Sequence, residues 1–334
     1  MKPNILVQIP KNQIDRFFTS ETLDRIEALG EVTWNPRNEP MPAEELKEQI
    51  RDKQIVLTTW GSTPIARDVL DAAERLQVVA HLAGSIRGIL PDAEAAYDRG
   101  IRVLNSNYAI AVSVSESVLA LVLALGHKIV PIDHAMRAGK PWKESWMETW
   151  ELRGKTVGLI GVGMVAREVV KVMRPFEVQF LGYDPFLPEE KAAELNLRLL
   201  PLHEVLSQSD IVSLHAPQIP ETHHLIGRRE LAMLRAGAML INTARGSLID
   251  EDALVEELRR GRIYAALDVF AEEPLAVESE LRSLDNVIVR PHLAGVNPDS
   301  RLRIGEYMVG DLERFVRGEP VRFEVHRRQL AIMT

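Results

Sequence analysis

Residues 156–166 read Thr-Val-Gly-Leu-Ile-Gly-Val-Gly-Met-Val-Ala, an apolar, β-prone run that enters Gly161-Val162-Gly163 and leaves as a helical pattern over residues 164–173. The stretch predicts a strand, a tight glycine turn and a helix start. Gly161 lets the backbone turn sharply. Gly163, having no side chain, lets a pyrophosphate approach until the N–H groups and dipole of the helix start hold it. The third glycine of the G-x-G-x-x-G fingerprint is replaced by Ala166, which is tolerated where helix and strand still pack. Alone, such a turn also fits an ordinary strand-to-helix connection. The acidic residue that the fingerprint places about 20 positions on is Asp184, which closes a second apolar run over residues 178–184. A carboxylate there takes ribose hydroxyls and repels a 2′-phosphate. No arginine follows in Pro185-Phe186-Leu187, so the unit reads as a site for NAD rather than NADP.

Working outward, apolar runs at residues 5–9, 32–34, 55–58, 78–82 and 101–104 alternate with helical patterns at 14–29, 43–50, 65–76 and 92–99. Strands spaced by crossover helices predict a parallel sheet covered on both faces. A second series starts with 156–160 and continues at 178–183, 211–215, 238–242, 264–269 and 287–289, separated by segments such as 252–260. Between the two lies a long helical pattern, 113 to about 137, opened by serines and bent or broken at Pro131. It leads into Trp142, Trp146 and Trp150, spaced by four, which read either as a face packed on the body or as a contact with a second copy. From residue 297 the pattern is helical to about 317 and ends in a tail. The simplest account is α/β with two doubly wound parallel-sheet domains, the last helix returning to the first.

A chain of 334 residues exceeds one ordinary core and suggests about two domains. Its 46% hydrophobic and 26% charged residues are those of a globular protein. The net charge of −8 argues against nucleic acid or an anionic membrane as main partner. The absence of cysteine removes disulfides, thiolate catalysis and cysteine-based metal sites. The start has too little positive charge and too short an apolar run for a signal peptide, and the most apolar run, residues 118–125, falls short of the roughly 20 residues that span a bilayer. A cytoplasmic protein is expected. Neither H-E-x-x-H nor G-x-S-x-G occurs, and the adjacent His223 and His224 diverge on any regular element, so metal and acyl-enzyme chemistry are not expected.

Ligands of open α/β sheets sit beyond the carboxyl ends of the strands. Three successive runs of the second series end on Thr243-Ala244-Arg245-Gly246, on Phe270 to Pro274 with Glu273, and on Arg290-Pro291-His292. Singly these read as a loop arginine, a turn glutamate and a surface histidine. Beside a dinucleotide unit they match one chemistry. Hydride transfer to a 2-keto acid needs a proton for the forming hydroxyl, a cation for the carboxylate and carbonyl oxygen, and a carboxylate beside the proton donor.

These residues and their surroundings resemble the D-isomer-specific 2-hydroxyacid dehydrogenases, which include phosphoglycerate dehydrogenase and glyoxylate/hydroxypyruvate reductase. The resemblance runs from about residue 105 to 295 through VGLIGVG, YDP (183–185), INTARG (241–246), DALVEELRRGRI (252–263), ALDVFAEEPL (266–275) and NVIVRPHLAG (286–295). It implies Arg245 as the substrate-binding catalytic arginine, Glu273 as the carboxylate supporting the histidine, and His292 as acid/base. It also implies Met164 and Val165 at the pyrophosphate turn with Gly161 and Gly163, Asp184 on the ribose, Pro217 near the adenosine side, Thr243 near the nicotinamide ribose and Asp268 near the carboxamide. The substrate carboxylate would meet backbone N–H groups at Gly84 and Ser85.

The family fold implies an NAD-binding Rossmann domain, 108–296, inserted in a discontinuous flavodoxin-like substrate domain, 1–107 plus 297–334. It further implies a homodimer with an exchanged arm that carries Trp142 and Trp146. Here the substrate loop reads Ala83-Gly84-Ser85-Ile86-Arg87-Gly88, where the family commonly has AGxGxD, and the glycine and proline usual after Asn105 are missing. Both departures fall on the substrate side, where Arg87 faces either solvent or an acidic group. The expected activity is an NAD-dependent 2-keto acid reductase, with phosphoglycerate dehydrogenase and an NAD(H)-sensing corepressor of the same fold as alternatives. Glu273 speaks against the formate-oxidising members, which carry glutamine there.

Overall fold

The computed structural model describes residues 2–332. Contacts divide the chain into two compact units, one running up to Ile110 and resuming at Val296, the other Ala111–Gly295. The first is built on β1 (Asn4–Val7), β2 (Glu31–Trp34), β3 (Ile55–Thr58), β4 (Val78–His81) and β5 (Arg102–Asn105), in the order β2-β1-β3-β4-β5. Every pairing is parallel, and the order is the flavodoxin-like one. Side chains alternate between the faces of a strand, and here both faces are covered. Ile5, Val7, Leu57 and Val78 pack on Ile304, Met308 and Leu312 of the helix Pro298–Val316, while Leu6, Val56 and Val79 pack on Leu46, Ile50 and Leu70. The runs are therefore continuously apolar.

The returning helix is stopped at its start by Asn297, whose side chain accepts the Ser300 N–H at 2.8 Å. Beyond it the tail lies along β5, with Asn105 N–H donating to Phe323 O at 3.1 Å and Val325 N–H to Val103 O at 2.8 Å.

The second unit holds β6 (Thr156–Ile160), β7 (Gln179–Tyr183), β8 (Leu197–Leu199), β9 (Ile211–Leu214), β10 (Met239–Asn242), β11 (Tyr264–Leu267) and β12 (Val287–Val289), in the order β12-β11-β10-β9-β6-β7-β8. This is the doubly wound dinucleotide-binding order, and its direction reverses between β6 and β9. The glycine turn leaves β6 at that switch point.

The structure differs from the sequence expectation at several places. The pattern over 14–29 is two helices, Ile14–Phe17 and Ser20–Leu29, because Thr19 Oγ1 accepts the Thr22 N–H at 3.3 Å and starts the second. β8 was not expected, since its three residues show no apolar run. The long helix starts at Asn107 and ends at Gly126. It breaks at Lys128, which is left-handed with φ +48°, and not at Pro131, which falls in the first turn of Ile129–Arg137 where a missing N–H loses no bond. The expected eight-residue apolar run is thus part of a 20-residue helix long and apolar enough to cross a membrane, with 56% of its apolar window buried inside the protein. The tryptophan stretch is a single 3₁₀ turn, Ser145–Met147. Trp150 packs over Gly126, with Lys155 Nζ 5.2 Å from its ring centre, whereas Trp142 and Trp146 are 75% and 39% exposed.

Two glycines of the last helix predict opposite stability effects. A Cβ on Gly305 falls 1.8 Å from Phe17 O, while one on Gly310 meets nothing within 4 Å. Gly305→Ala is expected to destabilise by about 1–3 kcal/mol through overpacking. Gly310→Ala is expected to stabilise by up to about 1 kcal/mol through helix propensity. Urea unfolding of the two variants against the unmutated protein checks the sign of each.

Candidate active site

The strands of the second sheet end level with one another. Pairing of Ile160 with Tyr183 and Leu214, of Asn242 with Leu214 and Leu267, and of Leu267 with Val289 puts Asp184, Gly161, His215, Thr243, Asp268 and Arg290 next in line along the carboxyl edge. Four residues expected at the cofactor therefore share one row. His215, in the same row, was passed over in the sequence.

Gly161 has φ +86°, and a Cβ there falls 2.8–2.9 Å from the backbone of His215 and Ala216, so only glycine fits. Gly163 caps the helix Met164–Met173, and the space where its Cβ would stand is open. The first-turn N–H groups of Met164 and Val165 have no intrahelical acceptor and face a dipole-favoured anion position. Asp184 is fixed beside this turn. Its Oδ2 accepts the Val162 N–H at 2.8 Å and its Oδ1 the Phe186 N–H at 2.9 Å, which leaves lone pairs for ribose hydroxyls. Thr243 Oγ1 and His215 Nε2 are enclosed without a hydrogen-bond partner among the described residues, a state that a bound polar ligand explains. Burial pushes the His215 imidazole down to about 3, so this ring is neutral. Pro217 follows, its carbonyl accepting the Thr222 hydroxyl at 2.6 Å. The turn, the acid and the orphaned strand-end groups fit a dinucleotide.

Arg245, Glu273 and His292 come together on the same edge. Glu273 Oε2 lies 2.8 Å from His292 Nδ1, and Glu273 Oε1 accepts the Phe270 N–H at 3.2 Å. With Nδ1 engaged, Nε2 is the ring nitrogen left to exchange a proton. Gly246 brings the arginine loop onto the glutamate loop, since a Cβ there would fall 1.9 Å from the Phe270 carbonyl. Asn242 ties the arginine loop at both ends, donating to Arg245 O at 2.9 Å and accepting the Ala244 N–H at 3.1 Å. Half-burial lowers the pKa of the Arg245 guanidinium, and the charge of Glu273 opposes the shift.

His292 itself is left-handed at φ +53°, a conformation that costs of order 1–3 kcal/mol outside glycine and needs surroundings that enforce it. Asp268 enforces it. Its backbone carbonyl accepts the His292 N–H at 2.8 Å, and its buried carboxylate accepts the N–H groups of Leu293 at 3.0 Å and Ala294 at 2.8 Å. Each oxygen of this fully buried carboxylate thus takes one N–H group from the histidine loop, with Arg290 Nε 3.7 Å from Oδ1, and keeps a further lone pair for a ligand donor.

In the first unit, Ala83 O accepts the Ser106 N–H at 3.4 Å and Gly84 O accepts Asn105 Nδ2 at 2.9 Å. The N–H groups of Gly84 and Ser85 have no acceptor among the described residues. Arg87 is exposed and donates to Leu330 O at 2.9 Å, which ties the loop to the tail. His223 and His224 lie outside the regular elements on which adjacent side chains diverge, and with His224 left-handed at φ +50° their rings stack with centres 3.9 Å apart.

The sequence profile of the D-isomer specific 2-hydroxyacid dehydrogenase NAD binding domain matches residues 119–294, more than half of the chain. The chain is 36% identical over 298 residues to a D-3-phosphoglycerate dehydrogenase of Methanocaldococcus jannaschii, covering 89% of this chain and 56% of that protein. It is 32% identical over 324 residues to a glyoxylate reductase of Korarchaeum cryptofilum, covering 96% and 94%. A solved phosphoglycerate oxidoreductase from Rhizobium etli superposes with a TM-score of 0.84 at 25% identity, covering 98% of this chain and 99% of that one. The chain belongs to the D-isomer specific 2-hydroxyacid dehydrogenase family, and its second unit carries that family's NAD-binding domain. It spans little more than half the length of the phosphoglycerate dehydrogenase relative.

Asp184→Ala is expected to weaken NADH binding and to narrow its lead over NADPH, because it removes a ribose acceptor and the charge that repels a 2′-phosphate. Fluorescence titration of both nucleotides checks this. An unmutated protein that prefers NADPH contradicts the role given to Asp184.

Proposed function

We propose that the protein interconverts a D-2-hydroxy acid and its 2-keto acid, acting mainly as a 2-keto acid reductase. The observation that carries this reading is the 2.8 Å contact between Glu273 and His292, locked beside Arg245 on the edge of the NAD-binding sheet. NAD, when bound, supplies the hydride-transfer chemistry. Arg245 is the planar two-pronged donor for the substrate carboxylate and carbonyl oxygen. His292 hands the proton at Nε2 to the oxygen that becomes the hydroxyl, and Glu273 keeps the ring oriented and balances its charge. Gly161, Gly163, Met164, Val165, Asp184, Pro217 and Thr243 serve the cofactor. Asp268 serves the cofactor near its carboxamide and also holds the His292 loop.

The substrate domain, taken as residues 1–107 plus 297–334, falls within the first unit and offers the N–H groups of Gly84 and Ser85, which have no acceptor among the described residues, to the substrate carboxylate. The cofactor domain, taken as 108–296, comprises the second unit and the few residues that flank it. The protein acts in the cytoplasm as a homodimer. The exposed Ile129, Met136, Trp142 and Trp146 support an exchanged arm. Glyoxylate and hydroxypyruvate lead as substrates, and the 36% identity to a phosphoglycerate dehydrogenase supports 3-phosphohydroxypyruvate as the second reading.

The test follows NADH oxidation with glyoxylate, hydroxypyruvate, phenylpyruvate and 3-phosphohydroxypyruvate. Turnover of at least one is expected, whereas tight NADH binding without any turnover supports an NAD(H)-sensing protein. His292→Ala is expected to lower the reduction rate roughly 10²–10⁴-fold with NADH affinity kept. Arg245→Lys keeps the charge but loses the fork, so catalytic efficiency is expected to fall steeply while NADH affinity stays.

A further inference from the structure

Asn105 is the last residue of β5, in register with His81 at the end of β4, and only 5% exposed. Its main chain is pinned by the tail through the 3.1 Å bond to Phe323 O. Its side chain is committed at both ends. Oδ1 accepts the Asn107 N–H at 3.3 Å, and Nδ2 donates to Gly84 O at 2.9 Å. An oxygen facing Gly84 would leave two acceptors opposed, so the network fixes the amide orientation.

The consequence follows from peptide planarity. In a trans peptide the N–H points opposite to the C=O. The Ala83 and Gly84 carbonyls are both drawn toward residues 105–106, so the following N–H groups, those of Gly84 and Ser85, both point away from that segment. Two consecutive free N–H groups on one side form a small anion-binding concavity. Nearby His81 adds no charge to it. Its Nδ1 lies 2.9 Å from Thr58 Oγ1, and burial pushes it down to about 4. The attraction for a carboxylate therefore rests on backbone donors and on what aims them.

We infer that Asn105 is a positioning residue for the substrate, holding the Gly84–Ser85 peptide so that the Ser85 N–H faces the substrate carboxylate. The inference rests on the reading of Gly84 and Ser85 in the proposed function. Without the Asn105 amide, Gly84 O lacks its donor. The peptide can then rotate about a residue with no Cβ and turn oxygen toward the carboxylate.

Asn105→Ala and Asn105→Asp in the full chain test this, with glyoxylate and hydroxypyruvate as substrates and oxamate as a non-reacting carboxylate. KM and the oxamate inhibition constant are expected to rise together, roughly 10–100-fold, the worth of a hydrogen bond to a charged group. Meanwhile kcat and the NADH dissociation constant stay unchanged, the pattern of a lost uniform binding interaction. Unchanged KM, or a parallel fall of kcat and NADH affinity, overturns the inference. If neither variant folds, the unmutated protein decides. Titrating its NADH complex with oxamate is expected to shift the Ser85 backbone amide resonance, and a stationary resonance overturns the inference. An unmutated protein that reduces none of the keto acids refutes the proposed function. One that reduces them, with variants of unaltered KM, refutes only the role of Asn105.

Discussion

The hydrogen bond between Glu273 and His292 depends on three loops being locked to one another at the ends of three neighbouring strands. Histidine and glutamate sit 19 residues apart, and each loop alone is free to wander. Three constraints hold them. The level strand ends place Thr243, Asp268 and Arg290 side by side. Gly246 seats the arginine loop against the Phe270 carbonyl, and the buried Asp268 carboxylate takes two N–H groups from the chain just past His292. The left-handed histidine is the visible strain of this arrangement. Such strain persists where the surroundings over-determine it, as at sites of function.

Under the proposed reading of the first unit as the substrate side, its sheet solves a related problem with different groups. Its carboxyl edge carries Gln8, Thr58, His81 and Asn105, all buried and uncharged, where the second edge carries Asp184, Asp268 and Arg290. Charged side chains suit a site that handles a cofactor and a proton. A site that recognises an anion without chemistry does well with backbone donors, which add no competing acid or base. The polar residues beneath such a loop then act by aiming peptides.

Much of this was legible in the sequence, and the boundary has physical causes. Parallel strands buried on both faces must be apolar throughout, so the alternation of runs and helices revealed two doubly wound sheets. The glycine turn was legible because φ +86° and a 2.8 Å backbone approach admit no other residue. Arg245, Glu273 and His292 stood out by their place after strands, whereas the bonds from Asp268 to the histidine loop left no mark in the sequence. A sequence marks a strand-end carboxylate without saying whether it faces ligand or peptide. His215 and Asn105 were missed because a polar residue at a strand end gives no periodic signal, and its meaning depends on register with neighbouring strands. The break at Lys128 was hidden for a similar reason, since lysine carries no propensity for the left-handed turn it adopts.

The central claim is that Glu273 and His292 act as one unit, and a double-mutant cycle on the reduction rate tests it most directly. Single-turnover rates at saturating NADH would be compared for the unmutated protein, Glu273→Gln, His292→Ala and the double variant. Residues that act as a unit are strongly non-additive, so the double variant is predicted to be no slower than His292→Ala alone. Losses that multiply would contradict the account, because they would mean that Glu273 contributes to the reaction by a route that does not pass through His292.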